Sequence, residues 1–196
     1  MTTSQPSFRV LALAGSYRIG SFNQALIAAA RTVAPDHVEI TEFDLRSVPF
    51  YDGDLEAAGD PEPVEQLKGA VRSADALLFV TPEYNSGIPG VLKNGIDWAS
   101  RFYPNAPLAG KLAAVVGATP GRSGTRTAQE DLRRVLGRTG TIVIDDAELS
   151  LARAGDAIVD GVVVSDEVLA RIRAVVDAIL ESADLCDQTG SASTAR

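Results

Sequence analysis

The chain has very few of the residues that most metal, disulfide and nucleophile sites require. Among its 196 residues there is one cysteine, Cys186, and one histidine, His37. A single cysteine cannot close an internal disulfide, which fits a reducing cytoplasm. The two residues together cannot supply the ligands of an ordinary zinc site, and the lone histidine has no setting for a Ser-His-Asp triad. We therefore expect neither a resident metal ion nor a hydrolase of that kind.

Long apolar runs and basic clusters are missing as well. No run approaches the roughly 20 apolar residues of a membrane helix, and the N-terminal MTTSQPSF does not resemble a secretory signal. The net charge of −8 argues against a groove for nucleic acid, which needs clustered lysine and arginine. With 45% hydrophobic residues, the composition is that of a globular protein with one full core. These absences predict a cytoplasmic protein whose partners include neither nucleic acid nor a membrane.

What the sequence does contain is a regular alternation of apolar strands and amphipathic helices. Short apolar runs predict strands over residues 8–14, 38–45, 75–82, 111–118 and 141–145. Helix-like patterns lie between them, and the last helix starts at a cap, Ser165. Such alternation predicts an α/β fold with a parallel sheet and helices on both faces. Five strands fit a flavodoxin-like, doubly wound sheet of order 2-1-3-4-5.

We expect one domain over residues 8–185. Residues 1–7 and the polar segment 186–196 are predicted to be disordered. Residues 46–63, rich in proline, glycine and aspartate, are predicted to form an irregular loop. In doubly wound sheets, ligands bind beyond the carboxyl ends of the strands, where the strand order reverses. The turns that follow strands 1, 3 and 4 should therefore meet at one site.

The first of these turns, GSYRIGSFN, carries Ser16, Arg18, Ser21 and Asn23. It differs from the ATP- and GTP-binding P-loop because Ser21 replaces the lysine, and from the dinucleotide fingerprint because Tyr17 replaces the second glycine. Hydroxyl groups, an arginine and N–H groups at the start of a helix suit the phosphate of a mononucleotide. An ordinary capped helix with a surface arginine is the alternative.

The other two turns carry few charges and several glycines. The second, TPEYNSGIPG, has a proline that ends the strand and glycines that permit close approach to a flat ring. The third, GATPGRSGTR, leaves a bare backbone that can contact the edge of a ring. Either turn alone could be a surface loop. Together the three turns favour a planar, phosphorylated ligand, and the candidate residues in the second and third are Pro82, Glu83, Tyr84, Asn85, Ser86, Thr119, Gly121 and Gly124.

These turns and the helix-like segments after them resemble the NAD(P)H-dependent FMN reductase family of flavodoxin-like quinone, azo and chromate reductases. The resemblance is carried by GSYRIGSFN, TPEYNSGIPGVLKNGIDWASR and GATPGRSGTRTAQEDLRRVL, and it extends from about Phe8 to Leu180. Three positions depart from the residues usual in the family: Tyr17 replaces leucine, Gly95 replaces alanine and Thr119 replaces serine.

The resemblance implies FMN as the cofactor and NADPH or NADH as the co-substrate. It assigns Ser16, Arg18, Ser21 and Asn23 to the FMN phosphate, and the second and third turns to the ribityl chain and the ring. It also implies a homodimer or homotetramer with FMN near the subunit interface. Arg101 and Arg18 are candidates for the phosphates of the pyridine nucleotide, and the sequence does not distinguish NADH from NADPH.

The expected function is that of an oxidoreductase. A hydride passes from NAD(P)H through bound FMN to a small-molecule acceptor, such as a quinone, an azo compound, a nitroaromatic compound, chromate or free flavin. The cofactor carries this chemistry without a catalytic side chain. Three alternatives remain open: a flavodoxin-like electron carrier without pyridine-nucleotide activity, a flavin-binding regulatory domain, and a reductase that releases reduced FMN to a partner enzyme.

Overall fold

The computed structural model describes residues 8–102 and 104–193, and the segment 1–7, predicted to be disordered, lies outside this range. Five strands form one parallel sheet: β1 Phe8–Ala14, β2 Val38–Phe43, β3 Ala76–Val80, β4 Leu112–Ala118 and β5 Ile142–Leu151. Their order is β2-β1-β3-β4-β5. The predicted flavodoxin-like topology is therefore confirmed.

Helices cover both faces of this sheet: α1 Phe22–Val33, α2 Gly53–Ala58, α3 Glu62–Ser73, α4 Gly90–Ala99, α5 Arg126–Arg138 and α6 Asp166–Ser193. Two cores result because the side chains of a strand point alternately to opposite faces. In β1, Val10 and Ala12 belong to the core formed with α1 and α6. Leu11 and Leu13 belong to the core formed with α3, α4 and α5.

The predicted irregular loop over residues 46–63 contains short helices. A 3₁₀ turn spans Leu45–Ser47, and α2 lies further along the loop. Each begins at an aspartate, Asp44 or Asp52, whose carboxylate accepts a backbone N–H at 2.9 or 2.8 Å. Aspartate is a good helix cap as well as a turn residue. The aspartates that suggested an irregular loop are therefore the residues at which these short helices begin.

The last core strand, β5, extends well beyond the predicted strand over residues 141–145. Its pairing with β4 shifts between Ala113 and Val115, so β5 bulges around Asp145 and Asp146 before it pairs again. These two aspartates interrupt the apolar pattern, which is why the sequence predicted a shorter strand. A hairpin of β6 Ile158–Val159 and β7 Val162–Val163 follows and was not predicted, although Asp-Gly is a strong turn signal.

The last helix passes through the predicted domain boundary at residue 185. α6 begins after its predicted cap, Ser165, and residues 186–193 of the predicted tail continue it, whereas residues 194–196 lie outside the described residues. This stretch contains no proline, and a polar composition does not by itself end a helix. Within the described ranges, no helix combines the length and the hydropathy needed to cross a membrane.

Tyr17 fastens the turn after β1 to the end of β2. Its hydroxyl donates a hydrogen bond to the carbonyl oxygen of Phe43 at 3.1 Å and accepts one from the N–H of Leu45 at 2.9 Å. Burial is the main cause that raises the pKa of Tyr17 from 10.0 to about 12. The neutral phenol therefore holds two backbone groups at the point where the chain leaves the sheet.

We expect Tyr17→Phe to lower the free energy of unfolding by about 1–3 kcal/mol, because the N–H of Leu45 loses its acceptor. Tyr51→Phe is the matched control, since the Tyr51 hydroxyl donates to the side chain of Glu56 and joins no backbone segments. Its effect should stay within about 0.5 kcal/mol. Urea unfolding of the two variants and the parent protein measures both changes.

The same variant tests the raised pKa of Tyr17. Between the ordinary pKa of 10.0 and the folded value of about 12, the unfolded chain loses this proton first. The free energy of unfolding should therefore fall as the pH rises through this window. The fall should be smaller in Tyr17→Phe. Equal slopes in the two proteins would contradict the role assigned to the hydroxyl.

Candidate functional site

A cleft of about 370 Å³ opens at the carboxyl edge of the sheet, beyond the ends of β1, β3 and β4. The strand order reverses between β1 and β3, as expected of a ligand site in this class of sheet. The volume lies in the range of small-molecule sites. The cleft brings together these residues of the predicted set: Ser16, Arg18, Ser21, Asn23, Pro82, Glu83, Tyr84 and Thr119.

The first and second turns pack directly against each other at Gly15. A Cβ atom at this position would lie 2.9 Å from Cδ of Pro82 and 3.0 Å from Cγ of Pro89. The N–H of Gly15 donates to the carbonyl oxygen of Val80, at the end of β3, at 2.9 Å. Glycine is therefore required here so that the two turns can form adjacent walls of the cleft.

The first turn offers several groups to an anion. Ser16 and Ser21 line the cleft although each is almost fully buried, with 6% and 3% of its surface exposed. Ser21 caps α1, and its Oγ accepts the N–H of Gln24 at 3.5 Å. The first N–H groups of a helix lack partners within the helix and carry its positive dipole end. This end of the cleft is therefore suited to a phosphate.

Ser21 and Gln24 have the spacing of a capping box, but only one of its two hydrogen bonds is formed. The side chain of Gln24 does not return to the N–H of Ser21, which instead donates to the carbonyl oxygen of Arg18 at 3.1 Å. The Gln24 amide donates to the carbonyl oxygen of Ser16 at 3.3 Å and to Oε1 of Glu42 at 2.7 Å. Gln24 thus ties the first turn to β2.

Arg18 stands at the mouth of the cleft. Its side chain is exposed, its guanidinium lies 5.4 Å from the ring centroid of Phe22, and Nη1 donates to the carbonyl oxygen of Ile19 at 3.3 Å. Among the residues that the structure describes, no carboxylate pairs with it. The positive charge of Arg18 is therefore available to an anion, and its predicted binding of a phosphate stays a prediction.

The side chain of Asn23 does something that the sequence interpretation did not anticipate. Its Nδ2 donates to the carbonyl oxygen of Ala118 at 3.0 Å, and its Oδ1 accepts the N–H of the same residue at 3.0 Å. The amide is buried and joins the start of α1 to the end of β4. A contact between Asn23 and a phosphate would therefore come from its backbone N–H.

The second turn has a first part that lines the cleft and an exposed tip that does not. Tyr84 and Gly87 exchange backbone hydrogen bonds of 3.3 and 3.1 Å around Asn85 and Ser86, whose φ angles are 51° and 58°. Asn85 and Ser86 are exposed and do not line the cleft, whereas Pro82, Glu83 and Tyr84 do. The predicted role of Asn85 and Ser86 in ligand binding stays a prediction.

Glu83 connects the second turn to the third. Its Oε2 accepts the N–H of Ala128 at 3.0 Å, in the first turn of α5. The hydroxyl of Thr125, which precedes this helix, accepts a hydrogen bond from Gln129 at 2.7 Å instead of capping the helix. The Glu83 carboxylate therefore caps α5 from another part of the chain.

The third turn contributes Thr119 to the cleft, and its Oγ1 accepts the N–H of Gly121 at 3.2 Å. Gly121 and Gly124 do not line the cleft. Gly124 is buried with a φ of 71°, and a Cβ atom there would collide with the hydroxyl of Ser150 in β5. Glycine is therefore required at residue 124 so that the third turn can pack against the sheet. Ligand binding by Gly121 and Gly124 stays a prediction.

Three lining residues were missed by the sequence interpretation: Phe22, Ala118 and Pro120. Phe22 is the first residue of α1, directly after the cap. A residue at this position necessarily lies beside the N–H groups that would bind an anion. The position relative to the cap was therefore a signal for Phe22, whereas Ala118 and Pro120 carry no chemical signal of their own.

A larger cavity, of about 610 Å³, lies at the opposite, amino edge of the sheet. Two of its charged residues, Lys111 and Asp75, have structural partners: Lys111 Nζ donates to the carbonyl oxygens of Arg72 and Ala74 at 2.9 and 2.5 Å, and Asp75 accepts the N–H of Arg9 at 2.7 Å. Burial lowers the pKa of Lys111. Because these groups close the ends of α3 and β1, the smaller cleft is the better candidate site.

Known proteins match the chain in sequence and in structure. Residues 8–156 match the family model described as NADPH-dependent FMN reductase. An NAD(P)H-dependent FMN reductase from Pseudomonas aeruginosa is 43% identical over 149 residues, which cover 76% of this chain and 80% of that protein. A quinone reductase from Escherichia coli is 38% identical over 142 residues, which cover 71% and 75% of the two chains.

A solved structure extends this similarity to the fold. FerB, a flavoenzyme NAD(P)H:(acceptor) oxidoreductase from Paracoccus denitrificans, has a TM-score of 0.82 and 34% sequence identity with this chain. The match covers 90% of this chain and 97% of FerB. The chain therefore belongs to the NADPH-dependent FMN reductase family.

Proposed function

We propose that this member of the family reduces quinones with NAD(P)H, using FMN held in the cleft at the carboxyl edge of the sheet. Family membership makes the chain an oxidoreductase that uses FMN and NAD(P)H. The proposal for quinones rests on the relatives, since several are quinone reductases and one from Burkholderia, 33% identical over 172 residues, is a 2-hydroxy-1,4-benzoquinone reductase. Azo compounds, nitroaromatic compounds, chromate and free flavin are further acceptors to compare with quinones.

The observation that carries the proposal is the composition of the cleft at the start of α1. Two buried hydroxyls, Ser16 and Ser21, lie beside the helix N-terminus and Arg18, which pairs with no carboxylate in the described part of the chain. These groups fit one phosphate monoester, which carries about −1.5 to −2 charges near neutral pH. They do not fit a nucleoside triphosphate, because no lysine is present in this turn.

The second and third turns fit the rest of FMN. Pro82, Tyr84, Ala118 and Thr119 provide a mostly uncharged wall beyond the phosphate end. Bound FMN supplies the two-electron chemistry. The backbone of the two turns would orient it, and the Glu83 carboxylate, engaged at the start of α5, keeps the turns together. We assign no proton-transfer role to Glu83, because its carboxylate already accepts a helix N–H.

Anaerobic spectroscopy of the FMN-loaded protein tests the proposed function. Addition of NADPH or NADH should bleach the flavin absorbance, and addition of benzoquinone should restore it over repeated cycles while the flavin stays bound. Flavin that stays oxidised with both nucleotides would show an electron carrier instead. Flavin that leaves the protein during turnover would show a donor of free reduced FMN, and failure to bind FMN at all would leave only a regulatory domain.

The role of Arg18 can be measured separately from turnover. We expect Arg18→Ala to weaken FMN binding by about 1.5–3 kcal/mol, the scale of a hydrogen bond to a charged group. Titration of the apoprotein with FMN, followed by flavin fluorescence, gives the dissociation constant. Arg72→Ala is the matched control because Arg72 is exposed near the end of α3, at the opposite edge of the sheet. Equal affinities for the two variants would place the phosphate elsewhere.

We extend the proposal to assembly as a homodimer or homotetramer in the cytoplasm. The family resemblance supports the assembly, and so do Phe50 and Phe102, two large apolar side chains that are 83% and 66% exposed. A single cysteine fits a reducing compartment. Sedimentation velocity of the FMN-loaded protein measures its mass, and a monomer would contradict the proposal. Cell fractionation measures its location.

A further inference from the structure

We propose that Arg122, Arg126 and Arg153 bind the 2′-phosphate of NADPH and make the protein select NADPH over NADH. The three arginines lie in the third turn, at the start of α5 and directly after β5. This inference rests on the proposed function, since it names the nucleotide that serves the same site. None of the three arginines lines the cleft proposed for FMN.

The first observation is that, among the residues the structure describes, these arginines have no acidic partner, although the protein is acidic. The chain has 26 acidic and 18 basic residues, and nine lysines and arginines form ion pairs within the described residues. Arg122, Arg126 and Arg153 are exposed and form none there. Unpaired positive charge at one edge of an acidic protein attracts an anion that the rest of the surface repels.

The second observation is the position of Arg126 at the N-terminus of α5. It is the first residue of α5, where the helix dipole is positive, and the first turn of this helix contains no acidic residue. Arg138 is the last residue of the same helix, where a positive charge is favourable. The Glu83 carboxylate caps this end of the helix, and a phosphate bound by Arg126 would add further negative charge beside it.

The third observation is the backbone of Arg153. Its φ and ψ angles are 47° and 43°, a left-handed conformation that glycine adopts without strain and arginine does not. The N–H of Arg153 donates to the carbonyl oxygen of Gly121 at 2.8 Å, and the N–H of Ala154 donates to that of Thr119 at 3.0 Å. These bonds fix Arg153 against the third turn, because Gly121 directly precedes Arg122 in the chain. They also place Arg153 near the cleft, which Thr119 lines.

Other cations near this edge already have partners. Arg101 lies 2.9 Å from Oε1 of Glu56, and its guanidinium stacks 5.2 Å from the ring centroid of Tyr51. Lys93 pairs with Asp97 at 2.7 Å. Arg18 is assigned to the phosphate of FMN. In our proposal, the nicotinamide of the nucleotide lies over the cleft and its adenosine end lies beside Arg122, Arg126 and Arg153, at the ends of β4 and β5.

The chemistry of the side chain matches the 2′-phosphate. Guanidinium groups form paired hydrogen bonds to phosphate oxygens, and they stay charged at every physiological pH. The 2′-phosphate is a monoester with about −1.5 to −2 charges near neutrality, and NADH lacks it. A site that uses several arginines for this group should therefore discriminate between the two nucleotides, whereas binding of the shared pyrophosphate should not.

Steady-state kinetics of the FMN-loaded protein with benzoquinone test the inference. We expect the parent protein to have a higher kcat/KM for NADPH than for NADH. In the triple variant Arg122→Gln/Arg126→Gln/Arg153→Gly, the ratio of the two values should fall by at least about tenfold, the equivalent of one lost charge-assisted hydrogen bond. Glycine at residue 153 keeps the left-handed backbone. The control Arg72→Gln/Arg138→Gln/Arg171→Gln removes the same charge elsewhere and should keep the ratio.

Calorimetry supplies a readout that does not depend on turnover. With the FMN-loaded parent protein, 2′,5′-ADP should bind more tightly than 5′-AMP, and this difference should disappear in the triple variant but persist in the control. Thermal unfolding adds a second readout. Because Arg153 has a left-handed backbone that glycine adopts without strain, the triple variant should unfold at the same temperature as the parent protein or a higher one.

The outcomes separate this inference from the proposed function. Equal kcat/KM for NADPH and NADH in the parent protein, or a parallel fall for both in the triple variant, would overturn the assignment of the 2′-phosphate and leave the reductase function intact. An equal fall of the ratio in the control would show an effect of net charge alone and would also overturn it. Failure of both nucleotides to reduce the flavin would overturn the inference and the proposed function together.

Discussion

Two hydrogen bonds between the side chain of Asn23 and the backbone of Ala118 join parts of the chain that are 95 residues apart. They attach the start of α1, where a phosphate would bind, to the end of β4, where the third turn begins. Both bonds are buried, so each would leave an unpaired polar group if it were broken, at a cost of about 1–3 kcal/mol. This contact fixes the distance between two walls of the cleft.

Three further contacts complete the arrangement around the cleft. Gly15 allows the first turn to pack against Pro82 in the second. Glu83 in the second turn caps α5, which follows the third turn, and the N–H of Arg153 joins the turn after β5 to the third turn at Gly121. Each turn is thus held by a partner from another turn. A planar cofactor can be oriented by such a frame with little ordering of loops on binding.

The sequence predicted the features that depend on local pattern. The apolar runs and their alternation with helices predicted the five strands and their order, which are confirmed. The cap at Ser21 and the turn residues predicted a site at the edge where the cleft lies, and ligand binding there stays a prediction. Sequence-based prediction was less successful for polar residue types that can either bind a ligand or hold the fold together. Asn23 and Glu83 have the chemistry of ligands, but their side chains are occupied by Ala118 and Ala128, and these partners lie 95 and 45 residues away. No local pattern specifies partners at such distances.

Tyr17 and Gly95, which depart from the residues usual in the family, also show that a local pattern does not specify distant partners. Both residues contact Leu45. The Tyr17 hydroxyl accepts the N–H of Leu45, and the Leu45 side chain occupies the space where a Cβ atom at Gly95 would lie, 2.7 Å from its Cδ2. Glycine inside a helix costs about 1 kcal/mol relative to alanine. Full burial of a leucine side chain contributes about 1.5–3 kcal/mol, and Leu45 is 1% exposed. The tyrosine draws the turn after β2 towards α4, and the glycine makes room for it there. Each departure is therefore stable in the presence of the other, although the two positions are far apart in the sequence.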